Sequence, residues 1–120
     1  MDLKTCYEEL GGDYENVLGR LSREQLVEKF MLKFLNDKSY SQLVETMEAH
    51  DVEEAFRAAH TLKGVCQNLS FSKLNGSSVQ VTEALRAGDY DAAVQLMPQL
   101  TDDYQTVVRA IESYKASEEV

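Results

Sequence analysis

The sequence has little of what disulfide-linked, metal-binding or membrane-spanning proteins need. Its 120 residues contain one proline, two cysteines and no tryptophan. Cys6 and Cys66 are far apart and outside any metal-ligand spacing, so we expect free thiols in a reducing compartment. No apolar run approaches the roughly 20 residues of a membrane-spanning helix, and the N-terminus lacks the apolar core of a signal peptide. These absences predict a cytoplasmic protein.

Basic residues are also scarce. The chain has 12 lysines and arginines against 21 aspartates and glutamates, a formal net charge of −9. Duplex nucleic acids and anionic membranes select basic surfaces, so neither is expected as a partner. The apolar fraction of 43% is that of a folded globular chain, and 120 residues suffice for one domain with a single core.

What the sequence has in abundance is the pattern of amphipathic helices. Apolar residues recur every three to four positions, β-branched runs are short, and no strand–helix alternation suggests an α/β fold. We predict an all-α fold, an antiparallel up-down four-helix bundle with short N-terminal capping helices. Within a single domain over residues 1–120, the capping helices occupy 1–21, the bundle 22–114 and a frayed tail 115–120.

Side chains that can cap helix N-termini mark the predicted helix boundaries. The predicted N-caps are Asp13, Ser22, Asp51, Ser72 and Asp89. Ser22 and Asp51 each stand three residues before a glutamine or glutamate, which is the spacing of a capping box. Pro98 falls inside the last apolar stripe, which ends at Tyr114, so this helix should be kinked or split.

The segment from Ala55 to Leu69 is predicted to be a helix with one apolar stripe. With about 100° per residue, the residues within roughly 60° of Leu62 should face the core. They are Ala55, Ala58, Ala59, Leu62, Val65, Cys66 and Leu69. His60 falls about 160° from Leu62, so its imidazole should face solvent on the opposite side.

The neighbours of His60 are unusual for a solvated helix face. Gly64, one turn away, costs about 1 kcal/mol relative to alanine in a helix but leaves open space beside the imidazole. Phe56 supplies an apolar contact one turn on the other side, and Lys63 and Arg57 place two cations within a turn of the ring. An exposed neutral imidazole in these surroundings suits a nucleophile that accepts a phosphoryl group.

The run Ala59-His60-Thr61-Leu62-Lys63-Gly64 resembles the signature of histidine-containing phosphotransfer (HPt) domains, and it lies midway along a bundle helix, as in that family. The resemblance implies that His60 accepts a phosphoryl group from a receiver-domain aspartate and later passes it to another receiver. It also implies that Lys63 steadies the phosphoryl oxygens and that Gly64 lets the receiver come close. The chain would then be a phosphocarrier and not an enzyme, with no cofactor of its own and with Mg²⁺ held by the receiver.

The implied partners are response-regulator receiver domains or hybrid histidine kinases, and we expect Phe56, Arg57 and Gln67 to contact them. Two positions depart from the family pattern. Gln67 is long and polar where a small residue is usual, and Ser70 stands where glycine is common. Because Gln67 lies about 10 Å along the helix axis from His60, contact with a docked receiver suits it better than binding the phosphoryl group.

Other functions fit the sequence less fully. The same bundle would serve a module that docks a receiver without being phosphorylated. A histidine-kinase dimerisation domain is a weaker match, because Thr61 and not an acidic residue follows His60. A metal site is weaker still, because His50 is distant in the chain and no acidic residue lies one turn C-terminal to His60.

Plainer interpretations of single residues also stay open. Arg57 would form surface ion pairs of little energetic weight with Glu53 or Glu54. Phe56 would belong to the core if the helix were rotated slightly. Cys66 lies on the apolar stripe, where a thiol acts as a small hydrophobic side chain.

Overall fold

Seven α-helices and one 3₁₀ turn form the fold within residues 1–119, which the computed structural model describes. The helices are α1 (Leu3–Leu10), α2 (Tyr14–Leu21), α3 (Glu24–Lys33), α4 (Ser39–Glu48), α5 (Val52–Leu69), α6 (Ser72–Arg86) and α7 (Tyr90–Glu118), and the 3₁₀ turn Phe34–Asn36 follows α3. No strand occurs in this part of the chain, so the predicted all-α class is confirmed.

Helices α4 to α7 form the predicted antiparallel up-down bundle, in which each helix packs against the next along the chain. Two tyrosine hydroxyls join α4 to α7 and close the ring. Tyr40, at the start of α4, donates to Thr101 Oγ1 at 2.9 Å. Tyr90, at the start of α7, donates to the carbonyl of Met47, near the end of α4, at 2.7 Å. The start of α4 therefore lies beside the middle of α7 and the end of α4 beside the start of α7, which makes the two helices antiparallel.

The N-terminal helices lie at the end of the bundle where α5 passes into α6; the sequence predicted that they cap one end but did not indicate which end. The amide of Asp13 donates to the carbonyl of Ser70 at 2.9 Å. The amide of Lys73 donates to the carbonyl of Gly11 at 3.0 Å. Helix α1 also packs along α7, which has 29 residues against 15 in α6. The sequence pattern did not indicate this second contact.

The predicted N-caps are confirmed at the three aspartates. The side chains of Asp13, Asp51 and Asp89 each accept a backbone N–H bond from the residue three positions on. The cap predicted at Ser22 is wrong. Ser22 adopts a left-handed conformation with φ of 72°, and its own N–H donates to the carbonyl of Leu18. It therefore ends α2 instead of starting α3.

The cap predicted at Ser72 is also wrong, because Ser72 is the first residue of α6 and Phe71 occupies the N-cap position. The ring of Phe71 is fully buried. Its centroid lies 5.7 Å from that of Tyr7 and 5.2 Å from that of Phe34. The packing of this aromatic cluster, and not a serine hydroxyl, sets where the chain enters α6.

Helix α7 is continuous through Pro98, so the proline does not split it. A helical proline leaves the carbonyl four residues earlier without its partner, here that of Val94. Pro98 and Val94 are both exposed, which lets water bond to this carbonyl.

The predicted tail over 115–120 needs correction, because α7 continues past Tyr114 to Glu118. Tyr114 is buried and donates a hydrogen bond to the carboxylate of Glu28 on α3. This anchor holds the last turns of α7 against the rest of the molecule. Val120 lies outside the described residues.

Candidate functional site

Helix α5 has one buried stripe and one exposed face, as its periodicity predicts. Asp51 caps the helix by accepting the N–H of Glu54 at 3.2 Å. The buried residues are Ala55, Ala58, Ala59, Leu62, Cys66 and Leu69, with Val65 half-buried at the edge of the stripe. His60 is exposed on the opposite side, where its imidazole is open to a partner molecule.

The imidazole of His60 stacks against the ring of Phe56. The two ring centroids are 5.8 Å apart and the ring planes differ by 20°. Side chains on a helix lean toward its N-terminus, and this direction carries the imidazole over Phe56 and away from Gly64. Phe56 is half-buried against the core, so it both packs inward and supports the imidazole.

Gly64 leaves open space one turn C-terminal to His60. A Cβ built at this position meets no heavy atom within 4 Å. The bundle itself therefore does not require glycine here, although glycine is unfavourable in a helix interior. The glycine leaves the surface of α5 open one turn from His60.

The two cations on α5 differ in what holds them. Arg57 forms exposed ion pairs with Glu53 at 3.2 Å and with Glu54 at 3.3 Å. These are the surface ion pairs that the sequence analysis gave as the alternative to partner contact. Lys63 is half-buried and forms no ion pair in the part of the chain that the structure describes. Because helix side chains lean toward the N-terminus, Lys63 leans toward His60 and Arg57 leans away from it.

Gln67 is exposed two turns beyond His60 and borders a polar depression at the C-terminal end of α5. The same depression is lined by Asn16, Arg20 and Asn75, from α2 and α6. The structure does not bring Gln67 to the imidazole, which leans in the opposite direction over Phe56.

Ser70, where the family commonly has glycine, is held by a polar network. It adopts a left-handed conformation with φ of 55° at the end of α5. Its hydroxyl donates to Asn16 Oδ1 at 2.6 Å and accepts from both terminal nitrogens of Arg20 at 3.1 Å. A glycine would adopt this backbone more easily, but it would lose the hydroxyl bonds to Asn16 and Arg20 of α2.

Arg86, at the end of α6, is a neighbour of the site to which the sequence analysis gave no role. Its guanidinium carbon lies 4.9 Å from the centroid of the Phe56 ring. Its Nε donates to Glu83 Oε2 at 3.1 Å. The contact with Phe56 depends on the register between α5 and α6, for which the local sequence carries no signal.

An apolar groove of about 340 Å³ lies on the other flank of α5. Its walls come from α2, α3, the 3₁₀ turn and α5. They include Leu21, Phe30, Phe34, Val65 and Leu69, with Arg20 and Lys33 beside them. The groove begins about 7.5 Å along the helix axis from His60, since Val65 is five residues away.

Neither cysteine competes with His60 as a nucleophile. Burial raises the pKa of the Cys6 thiol to about 11 and that of the Cys66 thiol to about 12. Both side chains are fully buried and remain protonated at neutral pH. The thiol on α5 is therefore closed to a phosphoryl donor, whereas the imidazole of His60 is open to one.

Comparison with known protein families identifies the family of this chain. The family model of the Hpt domain matches residues 14–110, which include the whole of α5 and the exposed His60. The chain belongs to the Hpt domain family. Hpt domains are phosphotransfer modules of two-component signalling. No curated protein and no solved structure matches this chain.

Two further observations concern membrane-spanning helices and metal-binding groups in this Hpt domain. Over residues 1–119, no helix combines the length and the apolar character needed to cross a membrane. In the same residues, no group of three or more histidine, cysteine, aspartate or glutamate side chains is arranged to hold a metal ion.

Proposed function

We propose that this Hpt domain is a phosphorelay carrier. His60 takes a phosphoryl group from the aspartyl phosphate of one receiver domain and passes it to the aspartate of another. The observation that carries the proposal is the exposed imidazole of His60, with open space at Gly64 one turn away and with Lys63 three residues on along the same helix. Phosphoryl transfer needs positioning and charge stabilisation more than covalent machinery, which suits so small a set of residues.

The chemical step uses the lone pair of one nitrogen of the neutral imidazole. This nitrogen forms the N–P bond while the P–O bond of the aspartyl phosphate breaks, and the electron pair leaves with the aspartate carboxylate. The second ring nitrogen keeps its proton or releases it to water. Lys63 balances charge on the phosphoryl oxygens, and the Mg²⁺ of the reaction is held by the receiver. Transfer to the next receiver is the same step in reverse.

Docking of the receiver covers more of the surface than the imidazole. A specific interface buries about 800 Å² on each partner, a patch of roughly 16 Å radius. Centred on His60, this patch includes Phe56, Arg57 and Gln67 along α5, and it also includes the apolar groove beside Val65. We assign Gln67 to contact with the receiver, because it is exposed and lies away from the imidazole.

The partners are receiver domains of response regulators or of hybrid histidine kinases, met in the cytoplasm. The chain carries the phosphoryl group without turnover or a cofactor of its own. Support for these partners comes from the family, since receivers are the domains with which Hpt domains exchange phosphoryl groups.

Incubation with a labelled, phosphorylated receiver tests the proposal. We expect the chain to acquire an acid-labile label, as a phosphohistidine gives, and we expect His60→Gln to acquire none. His50→Gln is the matched control, because His50 is the one other histidine of the sequence; it should be labelled as well as the unsubstituted chain. Label retained by His60→Gln would refute the assignment.

The same experiment separates the carrier from a module that docks without phosphorylation. Such a module would bind the receiver and acquire no label. In a binding arm, Gln67→Ala should change the affinity for the receiver and leave the lifetime of phosphorylated His60 unaltered. Faster decay in Gln67→Ala would instead make Gln67 a ligand of the phosphoryl group.

A further inference from the structure

We propose that the apolar groove between α3 and α5 binds a small amphipathic carboxylate, the free anion of a straight-chain fatty acid of about ten carbons. The site is separate from the imidazole, and its ligand belongs to another chemical class than the receiver domains. One consequence rests on the proposed function, namely that the bound ligand competes with the receiver for the surface beside His60.

The groove has the size and the lining of a small-molecule site. Its volume is about 340 Å³, and sites for small ligands have volumes of about 300–1,000 Å³ and mostly apolar walls. At roughly 30 Å³ for each methylene-sized group, this volume holds an aliphatic chain of about ten carbons. The apolar side chains of the walls are those of Leu21, Phe30, Phe34, Val65 and Leu69.

Part of this apolar lining is open to water. Phe30 is 37% exposed, and it is one of three large hydrophobic residues that are exposed in the part of the chain that the structure describes. Leu21 and Val65, on the walls from α2 and α5, are half-buried. A hydrocarbon chain in the groove therefore removes apolar surface of both the protein and the ligand from water, which favours binding.

Two cations line the groove, and neither is paired with a carboxylate within residues 1–119. The guanidinium of Arg20 donates only to neutral acceptors, which are the side chains of Asn16 and Ser70 and the carbonyl of Asn68. Lys33 is exposed and forms no ion pair. Both residues thus keep a positive charge that no side chain of the described chain neutralises.

Lys33 places one of these charges beside the most exposed apolar wall. Its Nζ lies 5.6 Å from the centroid of the Phe30 ring. The ring offers contact to an aliphatic chain, and the ammonium offers a charge-assisted hydrogen bond to a carboxylate. A fatty acid anion combines these two groups in one molecule, so it matches the pair better than a hydrocarbon or a simple anion does.

The charge of the lining favours an anion although the molecule as a whole is acidic. Arg20 and Lys33 contribute two positive charges, and Asp37 contributes one negative charge. The carboxylate of Asp37 is engaged by the N–H of Ser39 at 2.9 Å. The lining is therefore net positive in a chain with a net charge of −9, and a local positive potential selects a carboxylate over a neutral or cationic head group.

The groove lies close enough to His60 for its occupancy to affect a receiver. It begins about 7.5 Å along the helix axis from His60, at Val65. In the proposed function, a receiver patch of roughly 16 Å radius centred on His60 covers the groove. The imidazole itself leans over Phe56, away from Val65. A ligand in the groove therefore obstructs docking of the receiver but does not cover the imidazole.

Isothermal titration calorimetry of the isolated chain tests the ligand class, with ligands kept below their micelle-forming concentrations. We expect one site for decanoate and an affinity that rises up to about four-fold for each CH₂ from hexanoate to decanoate, the equivalent of about 0.8 kcal/mol. The affinity should level off for longer chains, once the groove is full. Octanol and octylammonium should bind more weakly than octanoate; equal binding of all three would overturn the carboxylate assignment.

Variants of the charged lining residues test the location of the site. Lys33→Gln should weaken decanoate binding and Lys33→Glu should weaken it further, whereas Asp37→Asn should strengthen it, because it removes the opposing charge. Arg109→Gln is the matched control, since it removes an exposed cation of α7 that does not line the groove. No binding of decanoate, or binding that Lys33→Glu leaves unchanged, would overturn the proposed site.

Phosphorylation of His60 in the presence of decanoate tests the competition. Labelling by a phosphorylated receiver should slow, whereas phosphorylation by phosphoramidate, a donor too small to need the groove, should keep its rate. Lys33→Glu should require a higher decanoate concentration for half-inhibition, which shows that decanoate acts on this chain and not on the receiver. An unchanged rate of labelling by the receiver at saturating decanoate would overturn the competition.

The two proposals fail in different ways. Absence of decanoate binding would overturn the fatty acid site and leave the carrier function standing. Failure of His60 to become phosphorylated by either donor would overturn the carrier function, while the calorimetric affinities would still support the ligand site.

Discussion

At the scale of single residues, Gly64 is where helix stability and access to the imidazole are most directly opposed. An added Cβ would meet nothing within 4 Å, so alanine fits without strain. Glycine in a helix interior is nevertheless less favourable than alanine by about 1 kcal/mol. The molecule therefore gives up stability at this residue, and the proposed function accounts for this loss by the approach of a partner to His60.

Gly64→Ala should raise the free energy of unfolding by up to about 1 kcal/mol, measured by urea denaturation. Gly76→Ala on α6 is the matched control for this gain, because a Cβ there also meets nothing within 4 Å. Gly64→Gln should keep the fold and block phosphoryl transfer, since its side chain would fill the space beside the imidazole. Normal transfer rates in Gly64→Gln would show that this space is not used.

A site residue could be predicted from the sequence when the geometry of a single helix fixes its position. The 3.6-residue period alone placed His60 opposite Leu62, and the spacing from His60 placed Gly64 and Lys63 on its C-terminal side. Arg86 was missed because its contact with Phe56 depends on how α5 and α6 slide against each other. Sequence periodicity orients a helix toward the core but does not set the register of two helices.

At the scale of the elements, the junction of α5 with α6 shows how a departure from the family pattern is accommodated. Ser70 has a left-handed backbone conformation, which is unfavourable for a residue other than glycine. Its hydroxyl offsets this cost by hydrogen bonding to Asn16 and Arg20 of α2. The carbonyl of Ser70 also receives the amide of Asp13. Together with the bond from Arg20 to the carbonyl of Asn68 at 3.2 Å, Ser70 holds α2 against the end of the helix that carries His60.

Ser70→Ala should lower the free energy of unfolding by about 1–2 kcal/mol, because it removes the hydroxyl bonds and keeps the left-handed conformation. Ser70→Gly should lower it less, because glycine adopts a positive φ freely and offsets part of the loss. Urea denaturation of the two variants beside the unsubstituted chain measures the difference. Equal stability of Ser70→Ala and the unsubstituted chain would contradict the role of the network.

The helix boundaries show where local sequence signals suffice. Asp13, Asp51 and Asp89 cap helices as predicted, because a carboxylate can reach the N–H three residues on without help from the tertiary structure. Ser22 and Ser72 carry a weaker local preference, which other interactions overrode. At Ser22 the chain closes α2, and at Ser72 the burial of the preceding aromatic ring sets the start of the helix.

At the scale of the whole molecule, the size of the bundle limits how receivers use the site. The molecule measures 43 × 27 × 18 Å, and a receiver interface of about 800 Å² is a patch of roughly 16 Å radius. In the proposed function, one receiver centred on His60 would therefore span the 27 Å width of the broad face and most of its 43 Å length. Under the proposed function, two receivers could not share the imidazole, so acceptance and donation of the phosphoryl group would occur in turn.

The net charge of the molecule differs in sign from the charge of the basic side chains near His60. The chain carries −9 overall, yet Lys63, Arg57 and Arg86 all lie near the face of α5 that carries His60. Arg57 pairs with Glu53 and Glu54, and Arg86 pairs with Glu83, so Lys63 is the cation of this group without an ion pair in the part of the chain that the structure describes. This grouping of cations depends on the fold, because Arg86 comes close to Lys63 and Arg57 only through the packing of α6 on α5.

Onward transfer from phosphorylated His60 tests the central claim most directly. The chain is loaded from one labelled receiver, that receiver is removed, and a panel of unphosphorylated receivers from the same organism is then added with Mg²⁺. The account predicts that label leaves His60 and appears on the aspartate of at least one receiver faster than it is released as inorganic phosphate. Label that stays on His60 with every receiver until it hydrolyses would contradict the carrier function.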